Sequence, residues 1–97
     1  MSQPDRAAFE AALQAEGFTE ILLREIPPGA DIAEHQHPYD AHGLVLAGHF
    51  TVSSAASEQP CGPGEAWSLH AGTPHREAAG PAGATMVIGR RHPTPVA

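Results

Sequence analysis

Apolar residues recur at helical spacing near the start of the chain. In "PDRAAFEAALQAE", residues 4–16, Ala8, Phe9, Ala12 and Leu13 share one face. Ser2 or Asp5 can cap this helix, Pro4 suits an early position, and Gly17 can end it. Phe9 and Leu13 are expected to face the core. After Gly17 the period changes. "FTEILLREI" is short, apolar and partly alternating, which predicts a strand that stops at Pro27-Pro28-Gly29. "ADIAEHQH" reads as a second extended run. "HGLVLAGHFTVSS" reads as two strands broken at Gly48, and "AASEQP" as a loop. "CGPGEAWSLHAGTPHREA" alternates turn, strand, turn, strand, and "GPAGATMVIGRR" gives a turn and a last strand. Roughly six to eight short strands with Gly/Pro turns and one small helix predict an all-β sandwich or barrel.

A chain of 97 residues makes one domain. The expected organisation is a helix over 1–17 packed on a barrel over 18–91, with a loose tail over 92–97. The chain has five arginines, no lysine and a formal charge of −6. A basic stripe able to neutralise phosphates is missing, so nucleic acid and anionic membrane surfaces are disfavoured as partners. No apolar run reaches the roughly 18–20 residues that cross a bilayer. The first residues lack the basic start and apolar core of a signal peptide. The single Cys61 allows no internal disulfide, which fits a reducing cytoplasm.

The candidate chemistry lies in "HQHPYDAH", residues 35–42. His35 and His37 are two apart, and alternate residues of an extended chain project to the same face. Two imidazoles so placed can converge on one ion, because metal–nitrogen bonds are about 2.1 Å long. Pro38 keeps His37 extended. Tyr39 and Asp40 follow at once and are candidates for an acid or base beside such an ion, although packing at the barrel mouth is the plainer role for Tyr39. Trp67 alternates along a predicted strand and suits the core. Cys61 has no basic neighbour, so it reads as a small buried hydrophobe. His70 reads as a rim residue, His49 as solvent-facing, and His92 as part of the tail.

Gly29 stands six positions before His35, Gly48 follows His42, and "GEAWSLHAGTPH" repeats a glycine-framed pattern ending on His75. With these features, residues 18–90 resemble the cupin superfamily, in particular its small single-domain bacterial members. The first family motif is G-x5-H-x-H-x3-4-E-x6-G and the second is G-x5-P-x-G-x2-H-x3-N. The resemblance implies a jelly-roll barrel of two antiparallel sheets with a metal near its centre. Position by position, it makes His35, His37 and His75 metal ligands. The family glutamate falls on Ala41 or His42. His42 is preferred because it offers a nitrogen, and Asp40 is the alternative. His70 replaces the motif proline and Ala79 its asparagine.

An imidazole-rich site suits Zn, Ni, Fe or Cu better than Mg or Ca. Each ligand imidazole is expected to donate its other N–H to a carbonyl or a carboxylate, with Glu34 and Asp40 nearby in sequence. The resemblance further implies either a metal-dependent enzyme on a small organic molecule, dioxygenase-like or isomerase-like, or a small-molecule or metal sensor. It also implies a homodimer, and "FTEILLREI" is apolar enough to pair across a two-fold axis.

Overall fold

In the computed structural model, which describes residues 5–92, helix α1 runs from Arg6 to Ala15. It starts where the Asp5 carboxylate accepts the Ala8 N–H at 2.9 Å, satisfying one of the free donors of the first turn. Gly17 (φ +87°) turns the chain out of the helix. Ser2, Pro4 and the tail beyond His92 lie outside the described residues. Six strands follow: β1 (Glu20–Ile26), β2 (Asp31–His35), β3 (Asp40–Ser54), β4 (Glu58–Cys61), β5 (Ala66–Leu69) and β6 (His75–Arg91).

All pairings are antiparallel, in the order β1-β6-β3-β4, with β2 also on β6 and β5 also on β3. The long strands β3 and β6 each serve two sheets. Residues 40–48 of β3 face residues 84–91 of β6, flanked by β5 and β1. Residues 50–54 of β3 face residues 75–79 of β6, flanked by β4 and β2. The two antiparallel sheets of a jelly roll are thus two halves of one hydrogen-bonded sheet, bent at its middle.

The bend explains two differences from the sequence reading. Gly48 does not break β3; it lies at a bulge where β3 turns the corner. Gly48 (φ +76°) stands against Gly83 (φ +76°) of β6, and a Cβ on Gly48 would run into the Gly83 carbonyl. Likewise "REA" and "GATMVIGRR" are not separate strands but two arms of β6. A third difference concerns "AASEQP". Its second half forms β4, because Gln59 pairs opposite Val52 and its side-chain amide bonds the Ser68 backbone at 2.9 and 3.0 Å.

Strand alternation gives the sheet two faces. The inner face carries Ile26, Val45, Phe50, Val52, Trp67, Met86 and Ile88, which form the main core with the buried Cys61. The outer face of the first half receives α1. Leu13 is 1% exposed and packs over Gly89, where any side chain would collide with it. Phe9 stays half-buried rather than in the core. No helix among the described residues is long and apolar enough to cross a membrane.

Candidate metal centre

His35 closes β2 and lies directly opposite His75, the first residue of β6. Two residues further along β6, on the same inner face, stands Glu77. His37 lies just beyond β2, its carbonyl accepting the Gly72 N–H at 2.8 Å and its ring stacked on Tyr39 at 4.8 Å. Ligand atoms of His35, His37, His75 and Glu77 all lie within 4.8 Å of one another. His75 and Glu77 are buried, at 2% and 5% exposure, while His35 and His37 sit nearer the surface.

The hydrogen bonds determine which atoms converge. His35 Nδ1–H donates to the Ala33 carbonyl at 2.8 Å, and His75 Nδ1–H to the Thr73 carbonyl at 2.9 Å. A carbonyl only accepts, so in the neutral rings both Nε2 atoms carry lone pairs. Both point at the same carboxylate oxygen, Glu77 Oε2, at 2.9 and 3.2 Å. Lone pairs facing a carboxylate in a buried place repel unless a cation lies among them, either a proton or a metal ion. Donors about 2.1 Å from one ion stand about 3.0–3.4 Å apart at right or tetrahedral angles, so these spacings fit an ion. Three imidazoles and one carboxylate also form a set that transition metals accept. His37 favours its neutral, lone-pair form. Its pKa is lowered first by burial and then by the neighbouring His35 and His75.

The structure brings His35, His37 and His75, three of the four expected metal ligands, within reach of one another, and places Glu77 rather than His42 beside them. His42 is not in the cluster. Tyr39 and Ala41 line the inner cavity, whereas Asp40 and His42 line a second cavity with Glu16, Phe18 and Arg91. Of the two positions that the motif spacing offers, Ala41 points inward and carries no donor, and the carboxylate beside the three histidines is that of Glu77 on β6. His42 lies against Phe9 and Phe18, ring centroids 5.0 and 6.1 Å away. Burial there lowers its pKa, with Glu16 opposing. A histidine kept neutral by folding contributes stability above its ordinary pKa of about 6.5 and loses it as pH falls below that value. In metal-free protein, His42→Phe is therefore expected to flatten the fall in Tm between pH 7 and pH 5. A variant with the wild-type slope would show that His42 is not buried as described.

Asp40 likewise lies outside the cluster. Its carboxylate accepts the Ala71 N–H at 2.8 Å and pairs with Arg91 at 2.9 and 3.2 Å. Those bonds, in that order, hold its pKa below the usual carboxylate range. Asp40 ties the 70–74 turn to β3 and β6. Asp40→Ala is expected to lower stability by about 1–2 kcal/mol, a value reduced by the partial exposure of the Arg91 pair. Metal content should be unchanged in elemental analysis of the purified variant. Glu34 donates nothing to the site either; backbone carbonyls hold the Nδ1 atoms.

Glu77 is the residue that motif matching missed, and the signal for it was present. "HRE" at 75–77 places His75 and Glu77 two apart, the same alternation that joins His35 and His37. Beside the cluster, the inner face keeps a cavity of about 20 Å³ edged by Tyr39, Trp67, Leu69, Arg24 and Arg90. By volume it holds one water.

The cupin domain family model matches residues 22–88. The chain is a cupin. No curated protein sequence matches it. Solved structures agree on the fold. A protein of unknown function from Rhizobium leguminosarum bv. viciae 3841 is 22% identical, with a TM-score of 0.71, over 75% of this cupin and 69% of that protein. The DMSP lyase DddQ from Ruegeria pomeroyi DSS-3 is 22% identical, with a TM-score of 0.67, over 79% of this cupin. This cupin spans only 40% of the lyase's length. KdgF from Halomonas sp. is 24% identical, with a TM-score of 0.61, over 75% of this cupin and 68% of KdgF.

Proposed function

We propose that this cupin holds one divalent transition metal through His35, His37, His75 and Glu77 and acts as an enzyme on a small organic molecule. The observation that carries the reading is the convergence of two imidazole lone pairs on one buried carboxylate oxygen, next to a cavity with room for a water. When bound, such an ion supplies Lewis acidity or, as iron(II), dioxygen activation. The chain's own residues do the rest. Backbone carbonyls orient His35 and His75. Tyr39, stacked on His37 and lining the cavity, is the side chain placed to give or take a proton at a bound molecule. Trp67 and Leu69 give the cavity an apolar wall. The likeness to a DMSP lyase and to KdgF supports an enzyme only by analogy of fold.

The competing reading, a sensor or binding module, differs in whether an exchangeable position remains at the ion. Azide added to cobalt(II)-loaded protein is expected to change its visible spectrum in a saturable way. Cobalt held firmly with a spectrum indifferent to azide would mean that protein donors close the site, and the binding-module reading would stand instead.

We also propose a homodimer through β1. It is an edge strand, and its Leu23 is 51% exposed, the one large hydrophobic side chain left open among the described residues. Leu23→Lys is expected to shift sedimentation towards the monomer. A wild-type protein that sediments as a monomer at high concentration would exclude the dimer.

A further inference from the structure

A second cavity stands apart from the histidine cluster, with about 230 Å³ of room against about 20 Å³ beside the cluster. Glu16 lines it from the C-terminal end of α1, Asp40 and His42 from β3, Ser68 from β5 and Arg91 from the end of β6. Phe18 and Leu69 supply apolar lining. A molecule of several carbon atoms fits where the inner cavity holds one water.

The charged groups around this second cavity leave one carboxylate over. Arg91 is fully engaged. Its Nε and Nη2 donate to Asp40 at 3.2 and 2.9 Å, its Nη1 donates to the Glu16 carbonyl at 2.8 Å, and its guanidinium lies 4.5 Å over the Phe18 ring. Arg91 and Asp40 therefore cancel. The Glu16 carboxylate makes no ion pair among the described residues. It caps a helix with no basic residue in its last turn, so the negative end of the helix dipole adds to its charge. The His42 ring has Phe9 and Phe18 for neighbours and no hydrogen bond among the described residues. Burial keeps that ring neutral against the pull of Glu16, so one of its nitrogens presents a lone pair. The cavity thus offers net negative charge and free acceptors: the Glu16 carboxylate, the His42 nitrogen and the Ser68 hydroxyl. An ammonium group, with three donors and no acceptor, is the complement of that set.

We propose that this cavity binds a small alkylammonium ion, its charged end held by Glu16, His42 and Ser68 and its alkyl part set against Phe18 and Leu69. The ligand class is a free primary amine of a few carbons. The site is independent of the metal reading, because none of the groups that hold the amine belongs to the histidine cluster.

The probe is n-butylamine, a cation at pH 8, with 1-butanol as its neutral analogue and butyrate as its anionic one. Nuclear magnetic resonance of the full chain, with and without zinc, reads the backbone amides of Ser68 and Ala71. Ser68 lines the cavity, and the Ala71 N–H donates to Asp40 at 2.8 Å. Butylamine is expected to shift both resonances saturably, and butanol and butyrate to shift them far less. Glu16→Gln should weaken butylamine binding about three- to fivefold, a modest loss because Glu16 is exposed. Ser68→Trp fills the cavity while keeping the strand backbone and should abolish binding. Circular dichroism checks the folding of both variants. Should Ser68→Trp fail to fold, Glu16→Gln decides, since its side chain is exposed. Nα-acetyl-lysine amide carries the same ammonium on a peptide-like body and is expected to bind more weakly than butylamine. Butanol or butyrate binding as tightly as butylamine, Glu16→Gln binding like wild type, or a folded Ser68→Trp that still binds would each overturn the proposal. Tighter binding of the lysine derivative would assign the site to a peptide lysine and overturn the free-amine assignment.

Discussion

Glu77→Gln is expected to weaken metal binding more than 100-fold and yet to make the metal-free protein more stable. Both effects follow from one arrangement. Loss of a partner that merely orients a ligand typically lowers metal affinity about 10–100-fold, so loss of a direct donor lowers it further. In the metal-free protein the same carboxylate is 5% exposed, with Arg24 only at 3.6 Å, and it faces Nε2 of His35 and His75, an arrangement that is unfavourable while both rings are neutral. A glutamine amide can donate to those nitrogens. A gain of even 1 kcal/mol would raise Tm by about 4–8 °C in a domain of this size. His75→Ala should also lose the metal but lower stability, because it empties a buried position that is 2% exposed. His42→Ala should keep the metal. Calorimetry of metal-free and zinc-loaded forms of the three variants separates these outcomes. A metal-free Glu77→Gln protein clearly less stable than wild type would show that the carboxylate is satisfied without an ion.

Gly48→Ala is expected to cost about 2–5 kcal/mol, a large part of the stability of a domain this small. Left-handed backbone costs a residue with a side chain about 1–2 kcal/mol, and here the added carbon also meets the Gly83 carbonyl, which is backbone and cannot rotate away. Gly83 has the same conformation and stands against the Ile26 carbonyl, so the corner cannot relax from either side. Chemical denaturation should show a lower midpoint with an unchanged slope. An alanine variant within 1 kcal/mol of wild type would mean that the corner is looser than described.

Much of the strand sequence was legible because the apolar alternation is local. "EILLREI" and "AWSL" state their own period, and Asp5 and Gly17 mark the ends of α1. The corner was not legible as a corner. Gly48 reads as a break in one dimension, and only its pairing with Ala84, beside Gly83, shows a bulge within a continuous strand. The site divided along the same line. His35 and His37 are neighbours in sequence, and His75 was placed by its glycine frame. His42 lies off the cluster by parity: one residue along β3 exchanges the inner face for the outer one, so the nitrogen that motif spacing offered lies against Phe9 of α1. Glu77 follows from the alternation at His75, but its meeting with His35 depends on the β2–β6 register, in which His35 faces His75. That contact joins residues forty positions apart and is not visible in any short motif.

Elemental analysis of the native chain, loaded with zinc, nickel, copper or iron(II) at pH 7.5 and dialysed against a weak chelator, tests the central claim most directly. The expected result is one ion per chain in wild type and in His42→Ala, and none in Glu77→Gln or His75→Ala. Wild-type protein that retains none of the four ions would contradict it, as would Glu77→Gln protein that retains a full equivalent.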